Sequence, residues 1–146
     1  MGSRTTTTER ELVCQYRRGA RLFVDLEATR RLDLPFWFQK GAFRDCVFLR
    51  CFFPGLIAQE CDLVGCSFLD CNLSSADFRG ANLARTRWSA TMPGACFQGA
   101  NLAGSAMVCA GTAIDFKDAY LVQARVEVPG AVNMFSAQTL LRSTPC

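Results

Sequence analysis

Cys61-Asp62-Leu63-Val64-Gly65, Cys66-Ser67-Phe68-Leu69-Asp70, Cys71-Asn72-Leu73-Ser74-Ser75, Ala76-Asp77-Phe78-Arg79-Gly80 and Ala81-Asn82-Leu83-Ala84-Arg85 are consecutive pentapeptides on one plan. Each opens on a small residue and carries a large apolar residue at its centre. The large residue recurs outward from this stretch. Phe43, Phe48 and Phe53 precede it on the same five-residue grid and Trp88 follows. After a slip of one, Phe97, Leu102 and Met107 continue the grid; after a second slip, Phe116, Leu121 and Val126 close it. The small partner recurs at Cys46, Cys51, Ala95, Ala100, Ser105, Ala119 and Ala124. Neither the helix period of 3.6 nor the strand period of 2 gives this spacing. A short fixed period predicts a solenoid.

The chain has 146 residues, half of them hydrophobic, and a formal net charge of +3. That length fits one domain. Residues 36–128 hold eight basic and eight acidic residues, so the repeat body is neutral. The excess charge comes from Arg4, Arg10, Arg17, Arg18, Arg21, Arg30 and Arg31 in the first segment and from Arg142. No dense basic stripe of a nucleic-acid binder is present, so direct nucleic-acid binding is not expected. No run of 18 apolar residues and no signal-peptide pattern occurs, which predicts a cytoplasmic protein without a membrane partner.

Of nine cysteines, Cys46, Cys51, Cys61, Cys66 and Cys71 sit on the small-residue grid that alanine later occupies. This predicts buried, reduced thiols acting as small hydrophobes. A metal site is the alternative, but there is no histidine and no Cys-x-x-Cys pair, so no metal ligands are assigned. An odd cysteine count also suits a reducing compartment.

The phrases Ala76-Asp77-Phe78-Arg79-Gly80, Ala81-Asn82-Leu83 and Gly99-Ala100-Asn101-Leu102 resemble the A-(D/N)-L-x-x unit of pentapeptide-repeat proteins, over about residues 36–128. The resemblance implies an all-β solenoid: a right-handed quadrilateral parallel β-helix of about four to five coils. Each side is one pentapeptide, with a short N-terminal capping helix and a C-terminal helix. Coils stacked at about 4.8 Å place residues 20 apart in columns. The expected columns are Phe43, Leu63, Leu83, Leu102, Leu121; then Phe48, Phe68, Trp88, Met107, Val126; then Phe53, Leu73, Pro93, Thr112; and Phe38, Ala58, Phe78, Phe97, Phe116. The slips, read as 93→97 and 112→116, fall at one corner of successive coils. This predicts a stacked four-residue side, with Pro93-Gly94 supplying the tighter corner; a looped-out 90–95 segment is the alternative. Cys46 would lie below Cys66 and Cys51 below Cys71, as thiol ladders without disulfide geometry. Asp62, Asn82 and Asn101 form a column expected to satisfy corner backbone groups or bond neighbouring turns.

Exposed solenoid ends need caps. Residues 1–35 read as an N-terminal arm and an irregular first coil. Thr8 and Glu11 form a candidate capping box for a helix over Glu9–Arg18, stopped by Gly19. The phrase Glu11-Leu12 … Tyr16-Arg17-Arg18-Gly19 … Phe23 is similar to the leader helix of many pentapeptide arrays. Residues 129–146 read as a terminal helix opened by Pro129, with Val132, Phe135, Leu140 and Leu141 as candidate dimer interface. The phrase Ala124-Arg125-Val126-Glu127-Val128-Pro129-Gly130-Ala131 resembles the end of the topoisomerase-protecting branch, the quinolone- and albicidin-resistance proteins. There a terminal helix pairs two solenoids tail to tail. A simple cap is the alternative.

Catalytic residues are not assigned. There is no histidine, no Gly-x-Ser-x-Gly, no phosphate loop and no paired-carboxylate motif, and flat walls offer no obvious pocket. Neither a cofactor nor a catalytic metal is implied. Two surfaces suggest binding. Val47, Leu49, Phe52, Val64 and Leu69 point outward as a candidate apolar patch for a protein partner or self-association, unless the N-terminal arm covers them. Arg85, Arg87 and Arg125 gather at one corner, as an acidic-partner or phosphate surface or as solvated charge. The expected function is a non-enzymatic interaction scaffold with an unidentified protein partner. The alternative is protection of DNA gyrase or another topoisomerase by duplex mimicry. That role needs rows of negative charge to answer a basic saddle, which this neutral body lacks.

Overall fold

A computed structural model describes residues 5–28 and 43–128. It is an all-β parallel solenoid of about five turns, with one short helix among the described residues. The elements are β1 (Thr5–Thr7), α1 (Glu9–Arg17), β2 (Leu22–Val24), β3 (Leu26–Ala28), β4 (Val47–Leu49), β5 (Ser67–Asn72), β6 (Arg87–Thr91), β7 (Ala106–Ala110) and β8 (Arg125–Glu127). β2-β4-β5-β6-β7-β8 form a six-stranded parallel sheet along one side, and β1 pairs with β3.

The pentapeptide makes a corner through its fifth residue, two places after the central one. That residue has positive φ at almost every corner: Asp45, Arg50, Gly55, Glu60, Gly65, Asp70, Ser75, Gly80, Arg85, Gly94, Gly99, Gly104, Ala113, Asp118 and Gln123, all between 53° and 73°. Such backbone suits glycine and short polar residues, which stand at ten of these corners; Arg50, Glu60, Arg85, Ala113 and Gln123 adopt it as well. The chain between corners is extended, so the first and third residues of each unit point inward. Successive turns join through backbone bonds such as Leu63 N–H to Asn82 O (2.9 Å), Leu83 N–H to Asn101 O (2.7 Å) and Leu102 N–H to Tyr120 O (2.8 Å).

Four walls result. The first, with Phe43, Leu63, Leu83, Leu102 and Leu121 inside, has the expected column. So does the second: Phe48 pairs with Phe68, then Trp88, Met107 and Val126. It extends further than expected, because Phe23 is in register with Phe48. The Leu22–Ala28 segment therefore joins the array in register, although the sequence suggested an irregular coil there. Rings stack along the second wall, with Phe23–Phe48 centroids at 5.2 Å, Phe48–Phe68 at 5.0 Å and Phe68–Trp88 at 4.3 Å. Phe78, Phe97 and Phe116 stack along the fourth wall at 5.1 and 5.2 Å. The two ladders meet edge to face, as in Phe78–Trp88 at 87°, the geometry aromatic quadrupoles favour.

The third wall differs from expectation. Leu69 pairs with Ser89 but Cys71 pairs with Ala90, so Asp70 has no counterpart in the next turn. From there each turn is one residue shorter, and β6 and β7 pair without interruption from Arg87↔Ala106 to Thr91↔Ala110. The short sides are therefore Trp88 to Met92 and Met107 to Gly111, one side earlier than the expected 93→97 and 112→116. They are stacked strands and not a loop, as predicted. What is deleted is the positive-φ corner residue itself. Met92 and Gly111, not Pro93 and Thr112, occupy the central positions: Met92 is buried, Leu73 N–H bonds Thr91 O, and Met92 N–H bonds Ala110 O. Pro93-Gly94 is an ordinary corner, not the shortened one.

Candidate interaction wall

The deleted corner shapes the surface. In the second turn Asp70 turns the chain at φ 53°; in the third turn Arg87–Thr91 runs straight past the same place. A step forms where the cornered turn meets the straight one. It opens a groove of about 420 Å³ between Phe52, Asp70, Asn72, Thr91, Val108 and Ala110. Beyond the step, the second and third walls merge into one flat face. Its outward side chains are Arg87, Ser89, Thr91, Ala106, Val108 and Ala110, all exposed and, apart from Arg87 at the far edge, small and uncharged; Val108 is 42% exposed.

Charge is distributed unevenly around the rod. The third wall presents Phe52, Pro54, Asn72, Ser74, Thr91, Pro93, Ala110 and Thr112, none of them charged. Ion pairs lie on other walls and corners: Arg44 with Asp62 (2.7 Å), Arg79 with Asp77 (2.8 Å) and, at a corner, Arg50 with Asp25 (2.8 Å). These pairs are largely solvated and contribute little each. On the fourth wall Arg79 and Gln59 both bond Asp77. These contacts outweigh partial burial and hold the Asp77 carboxyl below its ordinary range.

The apolar patch read from the sequence is not an exposed patch. Val64 is buried, and Val47, Leu49, Phe52 and Leu69 are half-buried. β2 covers one flank, with Leu22 beside Val47 and Val24 beside Leu49. Phe52 lies between Glu27 and Asn72 and lines the groove. Arg44, held to Asp62, occupies the column position before Val64. Large hydrophobics that are exposed among the described residues are Leu22, Val108, Tyr120 and Val122. Arg85, Arg87 and Arg125 do flank one corner, and all three are exposed. Val132, Phe135, Leu140 and Leu141 lie outside the described residues.

The Asp/Asn column works as expected at corners. Asp62, Asn82 and Asn101 accept from Val64, Ala84 and Ala103 N–H at 3.3, 3.3 and 3.0 Å. Asn72, Asp77 and Asp115 do the same on other walls. These Asx-turns satisfy the amide that the corner removes from the ladder. The cysteines described are free thiols. Cys66 donates to Phe43 O and Cys71 to Phe48 O, at 2.6 and 3.1 Å. Contact with the sulfur one turn back, together with burial, pushes the Cys66 and Cys71 thiols far up; burial alone pushes Cys109 up to about 12. Thiols so held stay protonated and are poor nucleophiles.

Thr8 accepts from Glu11 N–H at 3.2 Å, and Glu11 accepts from Thr8 N–H at 2.8 Å, closing the capping box of α1. The helix buries Leu12 in the core cluster and sets Tyr16 edge-on to Phe43 at 5.3 Å. No described helix is long and apolar enough to cross a membrane.

Residues 58–87 match the family model described as pentapeptide repeats (8 copies). Among curated proteins no sequence matches. Several solved structures do. The pentapeptide repeat protein Rfr23 from the cyanobacterium Cyanothece 51142 is 19% identical, with 66% of this chain aligned to 63% of that one at a TM-score of 0.50. HetL, a pentapeptide repeat protein involved in heterocyst differentiation regulation from the cyanobacterium Nostoc sp. strain PCC 7120, is 17% identical over 73% of this chain and 56% of its own, at 0.49. QnrB1, a plasmid-mediated fluoroquinolone resistance protein, is 17% identical over 83% and 76%, also at 0.49. At these identities the likeness concerns the fold alone, and the chain spans less than two thirds of Rfr23 and of HetL. The five-residue grid, the turn that closes every 19 or 20 residues and the model match agree: residues 58–87 carry the pentapeptide repeat, and the described solenoid is built on that plan.

Proposed function

We propose that this protein is a non-enzymatic interaction scaffold and that its contact face is the flattened wall centred on the uncharged residues Ser89, Thr91, Val108 and Ala110. The observation that carries the reading is the deletion of one corner in two successive turns. It converts two narrow walls into one broad face and leaves a groove at its edge, where every other corner keeps its turn residue. An uncharged centre loses little on desolvation and fits the core of a protein interface better than the ion-paired walls do, with Arg87 and Glu127 at its rim. In this reading α1 shields one end of the bore, with Leu12 as its plug. The solenoid is a right-handed square rod in the cytoplasm, and a protein is its ligand.

Duplex mimicry draws no support from the charges. Acids and bases are equal in number over 36–128, and Asp62 and Asp77 are held by Arg44 and Arg79, so the body carries no excess of negative charge to imitate a duplex.

A photo-crosslinking amino acid placed at Ala110, compared with one at Gln98 on the fourth wall, tests the assignment in cells. A discrete crosslinked species from the Ala110 position, absent from the Gln98 position, is the expected result. Equal crosslinking from both, or none from either, would sink the wall as contact face.

A further inference from the structure

We propose that Arg85, Arg87 and Arg125 form an oxyanion-binding site on the corner between the first and second walls, over a floor made by Gly104 and Ala106. Residues 43–128 contain six arginines. Arg44, Arg50 and Arg79 each hold an aspartate. The other three are the members of this cluster, and none has an ion pair among the described residues. Arg87 and Arg125 share one column, with Ala106 between them, so their backbones lie about 9.6 Å apart, twice the strand spacing. Arg85 stands at the adjoining corner, one turn before Gly104; a Cβ on Gly104 would sit 3.6 Å from Arg85 Cγ, so its stem lies along that glycine. The small floor leaves room above it for a ligand, and three flexible guanidiniums surround that room.

Among the described residues no carboxylate is ion-paired to the cluster. Glu127 shares β8 with Arg125 but makes no ion pair there, and Asp45 lies two turns from Arg85 in the same corner column. The segments outside the described residues carry a single acid, Asp33. Residues 129–146, which follow directly after β8, carry none. Like charges held close without a counter-ion repel one another, and a bound oxyanion relieves this while using the planar forks of arginine. Phosphate oxygens and the carboxylates of an acidic peptide share the chemistry required.

The test uses the full ¹⁵N-labelled chain, titrated in separate experiments with inorganic pyrophosphate, with a tetraglutamate peptide and with sodium chloride at matched ionic strength. Saturable shifts of the Gly104, Ala106 and Arg125 amides are expected. Saturation by pyrophosphate alone identifies a phosphate-type ligand, and equal or tighter saturation by tetraglutamate identifies a carboxylate segment. Each guanidinium removed should weaken binding about tenfold, so Arg87→Gln/Arg125→Gln should weaken it about a hundredfold with a dispersed spectrum retained. Arg85→Gln supplies an independent variant. Shifts that do not saturate, that sodium chloride reproduces, or that persist unchanged in both variants would overturn the site.

Discussion

Gly111→Ala tests the short side more sharply than any change on the surface. Gly111 has φ +135°, and a Cβ there would lie 2.6 Å from Pro93 N and 2.8 Å from Pro93 Cα. Both are backbone atoms of the stacked turn, so no change of rotamer relieves the contact. A backbone conformation reserved for glycine costs about 1–3 kcal/mol, and an added methyl in a filled space about 1–3 kcal/mol. The sum is about 2–6 kcal/mol. At about 2–4 °C per kcal/mol for a domain of this size, Tm should fall by roughly 4–24 °C. Gly99→Ala is the control. Its φ is +68° with nothing within 4 Å of the new Cβ, and Ala113 already occupies a corner at φ 57°. That change should cost only about 1 kcal/mol. Pro93→Ala keeps both backbone atoms and should not rescue Gly111→Ala. The assay is thermal or urea unfolding of the three variants beside the parent. Equal losses at Gly111 and Gly99 would refute the stacked short side, because a looped segment would not bring Pro93 against Gly111.

Four further outcomes are expected. Trp88 Nε1–H donates to Thr86 Oγ at 2.7 Å, which itself donates to Leu83 O; Thr86→Val should cost about 1–3 kcal/mol in urea titration by orphaning the indole. Ser105 sits one turn on, and its Oγ has no partner, so Ser105→Ala should be neutral or stabilising in the same titration. Stability should be flat from about pH 6 to 8, above the range in which Asp77 titrates, and fall above about pH 9. The buried thiols of Cys66, Cys71 and Cys109 keep their protons in the fold while the unfolded chain releases them; each contributes up to about 1.4 kcal/mol per pH unit, and urea midpoints from pH 7 to 10 would show it. In a gyrase supercoiling assay, with and without a quinolone, neither inhibition nor rescue should appear. Either effect would reinstate topoisomerase protection.

The legible part of this fold is the part marked by side-chain size. Leucine and phenylalanine stand at the third residue of a unit, and a small residue or thiol at the first, because only that pair fills a bore of fixed width. Three columns follow from this alone. The third wall was misread because its interior residues stop carrying the mark. Ala90 and Met92 sit beside Pro93, which is also apolar, and Cys109 precedes a central glycine. With no large residue between Trp88 and Phe97 except Met92, the grid locates the missing residue only to within one side. Hydrogen-bond register resolves it, because Cys71 pairs with Ala90 and not with Thr91. The surface was legible in direction but not in exposure. Leu49 and Leu69 do point outward, yet each is flanked by neighbours in its own column, and β2 lies in a column whose 25-residue first step breaks the five-residue grid's twenty-residue return.

The same deletion that hid the third wall from the sequence makes it the most distinctive surface. A regular pentapeptide rod repeats one corner many times, so no place on it is privileged. Removing a corner from a single turn would misalign every later residue against the turn before it. Removing it again in the next turn restores the register at once, as the uninterrupted 19-residue pairing from Arg87 to Val108 with Ala106 to Glu127 shows. The two deletions therefore support one another, and the fold holds them as a unit. The centre of that unit is uncharged, it carries a groove at its step, and at its edge lies the corner whose arginines have no ion pair among the described residues. A partner reading this rod has no reason to read its ion-paired walls, which look alike from turn to turn; the flattened face is where the molecule differs from its own repeat.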